Sequence, residues 1–91
     1  MIEYEFGRFV TSKAGHDKNK LFVIIEADSE YVYLVDGMFR TMAKPKKKKK
    51  KHVQVIKVVD ETLIIKKHSN MVISDEDIKR AIKLYSKRPS F

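Results

Sequence analysis

Ninety-one residues allow one hydrophobic core, because the chain left over from a first core is too short to bury a second. With 20 Lys and Arg against 12 Asp and Glu the net charge is +8, which attracts polyanions, and the absence of cysteine excludes disulfides, thiolate zinc sites and a cysteine nucleophile. No window approaches the roughly 18 apolar residues of a membrane span, and MIEYEFGRFV places acids where a signal peptide is basic, so the chain reads as soluble, unprocessed and cytoplasmic.

In chain order, Gly7 to Lys13, Leu21 to Glu26 and Tyr31 to Val35 are rich in β-branched and aromatic residues and are separated by turn formers, which predicts three strands. Gly15, Asp17 and Asn19 punctuate the first gap and Asp28 and Ser29 the second. The Asp36-Gly37 pair after the third strand favours a tight hairpin turn, because glycine accepts positive φ. Residues 38–43 then return as a short fourth strand. His52 to Val59 alternates, with Val53, Val55 and Lys57 on one face and Gln54, Ile56 and Val58 on the other, and reads as a fifth strand. Leu63 to Ile65 adds a short sixth, or extends the fifth through a turn at Asp60-Glu61. The expected fold is mainly β, a small five- or six-stranded barrel over residues 1–66 with a C-terminal extension over 67–91.

That extension changes period. Ser74 followed by Asp75, Glu76 and Asp77 supplies an N-cap and first-turn acids, with Lys83, Lys87 and Arg88 toward the other end. Ile78, Ala81, Ile82 and Tyr85 form one apolar stripe, so a helix is predicted over about 75–87 with Pro89 as its stop, docked on the barrel or on a partner.

The charge is concentrated in one segment. Residues 44–51 read KPKKKKKK and hold seven lysines (Lys44, Lys46, Lys47, Lys48, Lys49, Lys50 and Lys51), leaving 13 basic and 12 acidic side chains elsewhere. Mutual repulsion predicts a basic loop that is disordered until it meets a polyanion. If all seven met phosphates, the log-log salt slope would be about −6 on a duplex-like target and about −5 on a single strand, against near zero for a merely solubilising loop. A similar run can serve as a nuclear import signal, but here it lies between two predicted strands and not on a tail.

Gly7, Val10, Gly15, Asp17, Lys18, Lys20, Phe22, Val23 and the closing Asp36-Gly37 resemble the KOW motif of large-subunit ribosomal proteins and of transcription factors of the NusG type. The continuation RTMAKPKKKKKKHVQ is similar to bacterial KOW-domain RNA-binding proteins related to protein fourteen of the archaeal and eukaryotic large ribosomal subunit. The resemblance covers about residues 5–55 and implies a Src-homology-3-like barrel whose first loop meets RNA backbone. Asn19 departs from the glycine usual in the motif, and asparagine is the next best residue for positive φ.

The residues support the same expectation on physical grounds. In the first loop, Lys13, His16, Lys18 and Lys20 project around the flexible Gly15 and Asn19, which suits phosphate contact without base selection. Arg40 and His52 flank the lysine run and complete the expected RNA-binding set. Asp17 reads as a turn-maker bonding local amides. Phe9, Phe22 and Tyr33 read as packing residues, and Tyr31 and Phe39, beside turns, as the candidates for base stacking.

Enzymatic chemistry is not expected. His16, His52 and His68 have no second ligand at helical spacing, Asp75, Glu76 and Asp77 are explained by capping, and no phosphate-binding glycine loop or nucleophile elbow is present. The expected function is binding of ribosomal RNA in association with the large subunit, with no cofactor, metal, small-molecule substrate or membrane partner. The alternatives are a protein-interaction module using the helical stripe and a weak lysine-driven adhesion to anionic lipid.

Overall fold

A computed structural model describes residues 3–87 of the chain. The alternating segments form strands β1 (Arg8–Ser12), β2 (Leu21–Ala27), β3 (Tyr31–Val35), β4 (Lys46–Lys49) and β5 (Val53–Val59). A 3-10 turn (Lys50–His52) joins β4 to β5, and helices α1 (Glu61–His68) and α2 (Asp75–Ser86) follow. The strands make one antiparallel sheet in the order β4-β3-β2-β1-β5. No ladder joins β4 to β5 among the described residues, so the sheet is not closed. The fold is mainly β, consistent with a small Src-homology-3-like architecture carrying C-terminal helices.

Both faces of this sheet are buried, which explains the unbroken apolar run from Leu21 to Ile25. Val10 opposes Phe22 and Ile24 opposes Leu34, and these four join Val32 and Val53 in an inner cluster within the curve of the sheet. One residue along, Phe9 opposes Val23 and Val23 opposes Val35, and this outer row packs against Leu63 of α1 and Ile78 and Ala81 of α2. The two-residue side-chain period of a strand thus divides one apolar sequence between the two faces of the sheet, so that the single domain carries an inner and an outer cluster where one core was expected from its length. β5 keeps its predicted alternation, with Val53 and Val55 on the inner cluster and Ile56 and Val58 on the outer one.

Three predicted elements differ. Residues 38–43 are a turn rather than a strand, with only an isolated bridge between Thr41 and Lys44. The fourth strand comes instead from the lysine run, which was expected to be a disordered loop and pairs along β3 from Tyr31↔Lys49 to Leu34↔Lys46. Leu63–Ile65 belongs to α1 and not to a sixth strand. There Asp60 is the N-cap, accepting from Leu63 N at 3.0 Å, with Glu61 in the first turn and Lys66, Lys67 and His68 in the last, so the capping and dipole terms outweigh the β-branched propensity of the isoleucines.

The expected α2 is present with a reciprocal capping box between Ser74 and Asp77. Its stripe docks on the sheet of its own chain: Ile78 and Ala81 are fully buried, and Tyr85 stacks on Phe9 with ring centroids 4.6 Å apart. Lys66 Nζ lies 2.7 Å from Asp77 Oδ1 and ties α1 to α2. The connection after β3 crosses the start of α2 at Gly37 (φ +82°), where a Cβ would lie 2.6 Å from the Asp75 carbonyl, so only glycine fits. The expected border at 66/67 falls inside α1, and the outer core draws residues from both sides of it. Arg88 and Pro89, expected at the end of the helix, lie outside the described residues.

Candidate nucleic-acid interface

The loop between β1 and β2 turns through two left-handed residues, Gly15 (φ 87°) and Asn19 (φ 68°). Asn19 therefore takes the conformation that glycine would, and its N–H donates to Ser12 O at 2.8 Å while Lys20 N donates to Asp17 O at 2.9 Å. Lys13 N donates to His52 O at 2.8 Å, which fastens the start of the loop to the 3-10 turn. Lys13, His16 and Lys18 are exposed on this frame and have no ion pair among the described residues.

The carboxylate of Asp17 is not a local turn-maker. It accepts from Ser12 Oγ at 2.8 Å and lies 2.9 Å from Lys46 Nζ and 3.1 Å from Lys48 Nζ. Lys48 Nζ also donates to Ala14 O at 3.0 Å. Lys46 and Lys48 are cross-strand partners of Leu34 and Val32, so their stems lie on the inner side of the sheet and their ammonium groups converge on the loop. Burial raises the Asp17 pKa, but the bonds from Lys46, Ser12 and Lys48 outweigh it and hold the carboxyl well below the ordinary range. The charge that was expected to keep the run disordered is thus partly cancelled by one acid, and the strand forms.

The alternate lysines face the other way. Lys47 and Lys49 oppose Tyr33 and Tyr31, and Lys47 Nζ sits 4.3 Å from the centre of the Tyr31 ring. Lys50 Nζ lies 4.8 Å from the Tyr4 ring, and Lys50 N donates to Glu30 O at 3.0 Å. Asp28 is the true turn-maker on this side: its Oδ1 accepts from Glu30 N and Tyr31 N at 2.9 and 2.7 Å, bonds that lower its pKa. Lys44, Lys49 and Lys51 have no ion pair among the described residues, and Lys44, Lys47 and Lys51 are exposed.

Lys20 and Arg40 belong to a second group, around Asp36. Lys20 Nζ lies 2.7 Å from Asp36 Oδ2, while Asp36 Oδ1 accepts from Met38 N at 2.9 Å and Arg40 N at 2.8 Å. Burial works against ionisation of Asp36, and the Lys20 bond and these two amides reverse it, so its pKa is lowered. Asp36-Gly37 thus anchors a longer connection than the tight hairpin expected from the pair.

The structure brings Gly15, Lys13 and the lysine strand together with His52, half-buried at the end of the 3-10 turn, and separates Lys46 and Lys48 from the exposed cations. Sequence reasoning missed Asp17 and Asp36 as counter-ions. For Asp17 the available signal was an acid set among lysines in a glycine turn, whereas nothing next to Asp36 in the sequence points to Lys20 as its partner. Among the described residues no cluster of three His, Cys, Asp or Glu could hold a metal, and no helix is long and apolar enough to cross a membrane. No protein-family model matches this sequence, and no curated protein matches it.

Proposed function

We propose that the protein binds structured RNA, with large-subunit ribosomal RNA as the target class, through phosphate contacts from the first loop and the outward lysines of β4 and the turn after it. The observation that carries this reading is the pinning of the lysine run as a strand beside the left-handed turn of the first loop. A disordered run would lose about 1–2 kcal/mol of backbone entropy for each residue ordered on binding, whereas a run already in a strand has lost it on folding. Lysines on a fixed frame suit a backbone ligand, because the deep groove of A-form RNA does not admit side chains to its bases and recognition there is by shape. The alternative of a partner protein on the α2 stripe has less to recommend it, since the stripe is covered by the sheet.

Lys46 and Lys48 are engaged by Asp17, so five lysines of the run (Lys44, Lys47, Lys49, Lys50 and Lys51) remain for phosphates. The expected salt slope on duplex RNA falls from about −6 to about −4.5. The triple variant Lys47→Gln, Lys49→Gln and Lys51→Gln should reduce its magnitude by nearly 3. An unchanged slope would remove these residues from the interface. Sedimentation of the tagged protein with ribosomes tests the target: salt-sensitive migration with the large subunit supports it, and a protein that stays at the top of the gradient at low salt refutes it.

A further inference from the structure

Phe9, Phe22 and Phe39, three of the five phenylalanines, occupy two kinds of environment. Phe9 and Phe22 are buried in the cores, whereas Phe39 is 77% exposed at the crest of the β3–β4 connection. Its position is nonetheless fixed. Asp36 holds the amides on either side of it, from Met38 and Arg40, and Gly37 is pressed against the first turn of α2. One face of the ring is approached by Lys20 Nζ, 4.6 Å from the ring centre, and that ammonium is itself held by Asp36.

Beside the ring is a shallow cavity of about 250 Å³ lined by Lys20, Leu21, Asp36, Met38, Phe39 and Ile82. It is smaller than the roughly 300–1,000 Å³ of drug-sized sites, on the scale of a single planar ring. The acid in it is neutralised by Lys20 and two amides, and Arg40 and Lys44, exposed on the same connection, keep the surroundings cationic. An anchored ring, an apolar floor and cations at the rim match a nucleotide: a flat π-face to stack and a phosphate on each side. A protein partner would call for a wider apolar surface than Met38, Phe39 and Ile82 offer.

We infer that Phe39 is the stacking platform for one unpaired nucleobase, so that the RNA recognised carries a bulged or looped-out nucleotide beside its helical part. This rests on the RNA-binding reading above and adds to it a site for a base where that reading has only phosphate contacts. Stacking is tolerant of base identity, so selection is for an unpaired base more than for a sequence.

The test uses two RNA duplexes of equal length, one fully paired and one with a single bulged 2-aminopurine, whose emission falls when it stacks. The wild-type protein should bind the bulged duplex more tightly and quench its emission. Phe39→Ala should lose about 5- to 150-fold on the bulged RNA, abolish the quench and leave the paired duplex unaffected. Phe39→Trp should restore both. Since the side chain is exposed, the variant is expected to fold, and circular dichroism checks that it does. Equal affinity of wild type and Phe39→Ala for the bulged RNA, with paired binding intact, overturns the stacking site and leaves the phosphate reading standing. Failure of the wild type to bind either duplex overturns both.

Discussion

Replacing Asp17 by asparagine would leave an acceptor for the Ser12 hydroxyl but remove the charge shared by Lys46 and Lys48. Two partly buried ammonium groups would then face each other with no counter-ion, and hydrogen bonds to charged groups contribute about 1.5–3 kcal/mol each in such settings. Asp17→Asn is therefore expected to destabilise the protein by about that amount, read as a lower denaturation midpoint. The amides of β4 should also exchange faster than those of β2. Binding to RNA at low salt should weaken although the outward lysines are untouched, because a released strand has to be ordered again on binding; an unchanged affinity would mean that the charge of the run alone, and not the pinned strand, is what the ligand meets. The residue was visible in the sequence but its role was not, since nothing local says that residues 31 and 29 positions further along will fold back onto it.

Alternation within β4 follows from strand geometry. Side chains at successive positions point to opposite faces, so Lys46 and Lys48 point toward Asp17 while Lys47 and Lys49 point toward the tyrosines. An amine-acylating reagent under limiting conditions should modify Lys47 and Lys49 well before Lys46 and Lys48, as resolved by mass spectrometry; a flat profile across the run would mean that the strand does not persist in solution. Other elements were legible for plain reasons. β1, β2 and β3 follow from β-branched and aromatic residues set between turn formers, β5 from its two-residue alternation, and α2 from its capping box and stripe. β4 was not, because lysine has poor strand propensity and like charges repel, and both terms were overcome by pairing along β3 and by one distant acid. α1 was mistaken for a strand on the strength of Leu63, Ile64 and Ile65. The same cap-and-charge reasoning applied to α2, used on Asp60, Glu61, Lys66 and Lys67, would have identified it.

For the molecule as a whole, acidity is the condition to which this design is most exposed. The carboxyls of Asp17, Asp28, Asp36 and Asp77 are all lowered by partners they have only in the folded state, Asp77 from 3.8 to about 2 through Lys66 and the Ser74 amide. A lowered folded pKa gives stability that is complete above the unfolded value and is lost as pH falls through the folded one. Stability should therefore be level down to about pH 4 and then decline, with the Asp77 share gone by about pH 2. Asp77→Asn should lower the plateau and flatten the fall, as followed by thermal denaturation against pH; a variant with an unaltered pH profile would show that the Lys66 tie contributes nothing. Protonation would also leave 20 Lys and Arg and 3 His without acidic balance, adding general repulsion to the loss of specific bonds.

The outer side of β4 has no neighbouring strand among the described residues, and an open edge of this kind ordinarily invites pairing with a second molecule. Lysine at every position of β4 makes that approach repulsive, since two copies laid edge to edge would bring their ammonium groups into register. A polyanion bound along these lysines, as proposed, would also cancel that repulsion. On the proposed function, solubility and ligand occupancy would thereby be coupled: the charges that oppose edge-to-edge approach of free copies are the ones whose neutralisation would let crowded, saturated copies zip together along β4.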